Sequence, residues 1–143
     1  MSIWFYSGIE GFEVKNRNKL KEWIRGEIFK HRKSPGTINY IFVDDPAIYK
    51  INSDFLNHKT YTDIISFDYS EGSIISGDIF ISIDRVNENS NHFYTSFDEE
   101  LKRVIIHGIF HFIGFQDSTE NDKKKMRNLE DAALTSVKDL LIT

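Results

Sequence analysis

The longest apolar stretch of this chain, Val104 to Phe115, is broken only by two histidines set four residues apart, His107 and His111. It is well short of the roughly 20 residues that a membrane span requires, so it belongs inside a folded domain. The spacing predicts a helix from about Phe97 to Ile113. Leu101, Val104, Ile105, Gly108 and Phe112 fall on its core face. Ser96-Phe-Asp-Glu99 fits a capping box at its start, and Gly114 ends it. Such a helix needs another layer to cover its apolar side. The two histidines sit at the margin of that side, one turn apart.

The remaining segments supply the layer. Ile3 to Tyr6, Thr37 to Val43, Thr62 to Tyr69 and Gly77 to Ile83 read as strands, the last two as a hairpin across the turn signal Glu71-Gly72. Helices are predicted from about Asn18 to Lys33, with Leu20, Trp23, Ile24 and Ile28 on one face, and from Pro46 to about Asn57. Asn87 to Asn91 reads as a polar loop. After a second cap at Thr119 to Asp122, a last helix carries Met126, Leu129, Ala133, Val137 and Leu140. The expected fold is one α+β domain over residues 1–143, with a mixed sheet of about four strands packed with helices.

Composition narrows the chemistry. The chain has 143 residues and no cysteine, which excludes disulfides and thiolate metal sites and leaves His, Asp and Glu as metal ligands. The N-terminus has no basic region before a long apolar run, as a signal peptide would, so a cytoplasmic protein without a membrane partner is expected. Net charge is −4, yet Lys15 to Lys33 holds eight Lys or Arg against two Glu. That segment is either a solvated helix face or a phosphate-facing patch.

His107 and His111 can reach one ion from the same side of a helix. Gly114 lets the chain turn back, and Asp117 follows three residues later. The pattern His-x-x-x-His-x-x-Gly-x-x-Asp has the spacing of an extended zinc motif with Asp in its last slot. Three protein ligands leave a position open for water or substrate, as in catalytic sites. The alternative is a pair of core-edge histidines bonded to backbone, with Asp117 capping the next helix. Helical zinc proteases place their general base directly after the first histidine. Here that residue is Gly108, which points away from peptide hydrolysis.

These residues resemble a known family. His107-Gly-Ile-Phe-His111-Phe-Ile-Gly-Phe-Gln-Asp117 is similar to the signature His-Gly-x-x-His-x-x-Gly-aromatic-x-His of the YbeY endoribonucleases, the rRNA maturation factors. Ile51-Asn52 through Tyr61-Thr-Asp-Ile-Ile-Ser-Phe67, Gly77-Asp-Ile-Phe-Ile-Ser82 and Met126-Arg-Asn-Leu-Glu130 resemble three further family segments. The resemblance implies a metal-dependent endoribonuclease specific for single strands. It would mature rRNA, including the 16S 3′ end, act in ribosome quality control and meet the small ribosomal subunit. It implies one divalent ion, usually zinc, on a helix similar to that of zinc proteases. Asp117 replaces the family's third ligand histidine, and Leu56 stands where the family commonly has an important Arg.

The expected catalytic residues are His107 and His111, and the expected metal ligands are His107, His111 and Asp117. Lys59 or His58 could stand in for the absent Arg. Ser66 and Arg103 are candidate phosphate contacts, Arg103 otherwise pairing with Glu100. Asp78 is a candidate partner to orient an imidazole. One or two aromatic residues at the cleft could stack on unpaired bases. The rival readings are another zinc hydrolase such as a peptidase, and a ribosome-assembly factor with a purely structural metal. The nucleophile and the oligomeric state stay open.

Overall fold

Buried and exposed residues alternate along the strands, and this sets two unequal layers. In a computed structural model, which describes residues 2–58 and 62–143, the elements follow in the order β1 (Ser2–Ser7), α1 (Arg17–Lys30), β2 (Ser34–Val43), α2 (Asp45–Leu56), β3 (Ile64–Asp68), β4 (Ile74–Ser82), α3 (Ile83–His92), α4 (Phe97–Ile113) and α5 (Glu120–Thr135). The strands form one mixed sheet ordered β1-β2-β4-β3. β1 and β4 each run parallel to β2, and β3 pairs antiparallel with β4. This is the α+β architecture that the sequence predicts.

One sheet face carries Ile3, Phe5, Ile38, Tyr40, Ile75, Ile79 and Ile81 into the main core. There it meets Leu20, Ile24 and Ile28 of α1 and the apolar side of α4. Tyr40 is fully buried, and its hydroxyl donates to the carbonyl of Ile105 at 2.9 Å, fastening the central strand to α4. The other face is covered by α2 through a smaller cluster of Val43, Ile48 and Ile65.

Two glycines let α4 lie close to the sheet. A Cβ on Gly77 of β4 would run into the Phe67 carbonyl oxygen and the Phe112 ring of α4. A Cβ on Gly108 of α4 would stand 3.0 Å from Ile79 Cδ1 and 3.2 Å from Ile64 Cδ1. Position 108 therefore faces the sheet, and a glutamate there would be driven into the core rather than toward an ion.

Three expectations need correction. Asn87 to Asn91 is not a loop but the body of α3. Ser82 caps this helix by accepting from the Arg85 N–H, and only Val86 and Ser90, four apart, are buried. So narrow a buried stripe leaves little hydrophobic periodicity to read. Val137 and Leu140 lie beyond α5, in a tail held by α4. The fully buried Lys102 donates its Nζ to the carbonyls of Val137 and Leu140 at 2.9 and 2.8 Å, and Asp98 accepts from the N–H groups of Ile142 and Thr143. The capping box expected at the start of α4 is half formed: Ser96 accepts from the N–H of Glu99, while the Glu99 carboxylate lies 3.6 Å from Lys102.

Gly77→Ala is expected to destabilise the protein by about 1–3 kcal/mol, the usual cost of overpacking, read as a lower urea midpoint. An unchanged midpoint would show that β4 and α4 need no such close approach.

Candidate metal centre

The site is built where α4, the turn after it and α5 converge. Histidines four apart on α4 stack one turn above the other, and their Nε2 atoms face each other at 2.9 Å. Gly114, at φ +122°, receives the end of the helix by donating its N–H to the carbonyls of Phe110 and His111. The chain then doubles back and places Asp117 Oδ2 3.6 Å from His107 Nε2. One donor atom from each of His107, His111 and Asp117 falls within a span of 4.8 Å. Two imidazole nitrogens directed at each other beside a carboxylate repel unless a proton or a cation lies between them. The donor set suits a divalent ion of borderline hardness. Asp117 does not cap α5; that helix has its own capping box between Thr119 and Asp122.

Behind the histidines stands a residue to which sequence reasoning gave no role. Glu130 of α5 is buried, and its Oε2 lies 2.6 Å from His107 Nδ1. A carboxylate there fixes the proton on Nδ1 and leaves the Nε2 lone pair for a ligand. The other oxygen, Oε1, accepts from Arg103 at 2.9 Å, and Arg103 also donates to Asp131 at 2.7 Å. The signal in the sequence was a charged residue on the stripe of Met126, Ala133 and Leu134, which is otherwise apolar.

Electrostatics follow from this burial. For His107, desolvation disfavours the charged form. The Glu130 hydrogen bond, and the negative charges of Glu130, Asp117 and Asp63, outweigh it and raise its pKa. For His111, burial and then the positive charge of His107 lower it. Asp63, just before β3, is raised mainly by burial. Glu100 is pushed up from 4.5 to about 7, chiefly by burial and in spite of Arg103.

A cleft of about 380 Å³ opens on the centre. It is lined by Asp63, Glu100, Arg103, His107, Asp117 and Glu130, with Asn89 and Phe93 from α3 and Lys123 and Arg127 from α5. The structure therefore brings Arg103 to the site, paired with Glu130 and Asp131 rather than with Glu100. It does not bring Asp78 there. Asp78 accepts from Asn39 Nδ2 at 3.0 Å and pairs in register with Phe67, on the sheet face opposite α4. Strand alternation puts it one residue out of phase with Ile79, which packs on Gly108. Glu130 has the place that Asp78 was expected to fill. Ser66, Leu56 and His58 line a separate hollow together with Asn52 and Thr62. Lys59 lies outside the described residues.

Comparison with known proteins gives a consistent result. Residues 10–138 match the family model described as Endoribonuclease YbeY. The chain is 49% identical over 120 residues to a Flavobacterium johnsoniae protein named Endoribonuclease YbeY, covering 84% of this chain and 86% of that one. A protein of the same name from Christiangramia forsetii is 50% identical over 120 residues, covering 84% of each. The solution structure of a Thermotoga maritima protein superposes with a TM-score of 0.66 at 24% identity, over 96% of this chain and 93% of that one. The last likeness speaks to the fold.

Glu100→Gln tests the electrostatics without touching His107, His111 or Asp117. The folded carboxyl holds its proton more tightly than the unfolded one. The native state therefore loses stability as pH rises from about 4.5 to about 7. The neutral amide escapes that loss. The variant is expected to gain in Tm over the wild type near pH 8, with the gain fading below about pH 4.5. An equal difference at both ends would contradict the shift.

Proposed function

The chain belongs to the Endoribonuclease YbeY family, and on that premise we propose that it hydrolyses phosphodiester bonds in single-stranded RNA during rRNA maturation, using one divalent ion, zinc, held by His107, His111 and Asp117. The observation that carries this reading is the donor set itself: two facing imidazoles and a carboxylate, within 4.8 Å of one another, at the mouth of a cleft that also holds three cationic side chains. An ion bound there supplies a Lewis acid for a phosphoryl oxygen and lowers the pKa of bound water.

The rest of the work falls to the chain. Glu130 keeps the His107 Nδ1 proton in place, so that Nε2 stays a lone-pair donor. Arg103 offsets the charge of Glu130 and Asp131, which would otherwise face an incoming phosphate. Lys123 and Arg127, both exposed on α5, give the cleft a positive rim for the RNA backbone. Asp63, whose pKa is raised by burial, lines the cleft beside His107. Asp117, as a harder ligand than histidine, widens the range of ions that the site accepts.

A peptidase is disfavoured, because Gly108 packs against Ile79 and Ile64 and leaves no room for the acid that peptidases carry there. No described helix is long and apolar enough to cross a membrane. The substrate proposed is rRNA of the small ribosomal subunit, met in the cytoplasm.

His107→Ala and His111→Ala are each expected to lower cleavage of single-stranded RNA by at least about 100-fold, with far-UV circular dichroism unchanged. Undiminished cleavage by the purified double variant would overturn the proposal. Cleavage lost together with the fold would favour a structural metal.

A further inference from the structure

The half of the cleft away from the histidines has a composition that metal binding does not explain. Glu100 is only 6% exposed, yet its carboxyl makes no hydrogen bond or ion pair among the described residues. Its oxygens are not sealed in the core but are reached by solvent through the cleft, so they stay open to a ligand on a side chain that is otherwise held in place. Phe93, at the C-terminal end of α3, is 53% exposed although it lines the same cleft. Its ring stands T-shaped to that of His92, with centroids 5.0 Å apart, and about half of the side chain remains open to solvent. Asn89, one turn earlier on α3, adds an amide with both a donor and an acceptor. Lys123 and Arg127, one turn apart on α5, bring positive charge to the same hollow; Arg127 has no ion pair among the described residues, and Lys123 has only a 4.0 Å contact with Glu120.

We propose that this half of the cleft is a nucleobase subsite: an unpaired guanine next to the scissile bond stacks on Phe93 and presents its Watson–Crick edge to Glu100, while Lys123 and Arg127 hold the flanking phosphates. The assignment rests on the RNA-cleaving reading above and adds to it a base preference. Stacking on an exposed aromatic ring accepts any base, so the choice among bases falls to the hydrogen-bonding group. Guanine alone offers two adjacent donors, N1–H and the N2 amino group, which match the two oxygens of one carboxylate. Uracil offers one donor between two acceptors. Adenine and cytosine set an acceptor beside their amino group, and that acceptor would repel a carboxylate. Burial disfavours the ionised form of Glu100 in the free protein, and two donors on the bound base would restore it. Part of the hydrogen-bonding energy is then spent in ionising Glu100, which keeps affinity for the base modest while retaining the preference.

The test uses the metal-loaded protein and a pool of single-stranded RNA of random sequence, with the product ends sequenced. Guanine is expected to be enriched at one fixed position relative to the cut. Glu100→Gln should flatten that enrichment while cutting continues. Phe93→Ala, a change at an exposed side chain, should raise KM about tenfold with a smaller effect on kcat. A second measurement does not depend on turnover: fluorescence anisotropy with a short oligouridine and with the same strand carrying one guanine. The guanine strand should bind about tenfold more tightly to the wild type, as one bidentate base contact provides, and equally to Glu100→Gln. Cutting without base preference, or a preference that survives in Glu100→Gln, overturns the subsite. Guanine-dependent binding without any cutting would keep the subsite and overturn the nuclease reading instead.

Discussion

The arrangement turns on one carboxylate. Glu130 holds the Nδ1 of His107 with one oxygen and the guanidinium of Arg103 with the other, and so ties α5 to α4 at the level of the candidate metal centre. Because it is buried, its charge is little screened. Removing Arg103 would leave that buried charge with only His107 to offset it. The same contact decides which imidazole nitrogen is free, and hence whether α4 can offer two donors to one ion. Asp117 adds its oxygen only because Gly114 lets the chain fold back beside His107.

That carboxylate can act only if α4 is fixed against the sheet. Gly77 and Gly108 let the helix approach β3 and β4, and the Tyr40 hydroxyl anchors it at Ile105. At its N-terminal end, Asp98 and Lys102 hold the C-terminal tail by backbone bonds and so close the core on the far side. The family segment Gly77-Asp-Ile-Phe-Ile-Ser82 thus begins with a steric requirement of α4. The glycine after His107 reports the same closeness.

Much of this was legible in the sequence, because it depends on local patterns. The four-residue spacing of the histidines, the stop at Gly114 and the alternation in β2 and β4 each follow from the geometry of one element. What escaped depends on contacts between elements distant in sequence. Glu130 lies 23 residues from His107, and only its place on an otherwise apolar stripe hinted at burial. Asp78, a candidate to orient an imidazole, is turned to the other sheet face by strand alternation, which the sequence alone does not orient relative to α4. α3 was missed because two buried residues carry it. With it were missed Asn89 and Phe93, which complete the cleft.

The affinity of the protein for zinc with and without the Glu130 carboxylate tests this account most directly, by competition against a chromophoric chelator. Replacing a partner that orients a metal-bound histidine typically weakens metal binding by about 10–100-fold. Glu130→Gln is expected to show a loss in that range, with the secondary structure intact. A variant that folds and binds zinc as tightly as the wild type would contradict the claim that Glu130 prepares His107 for the ion.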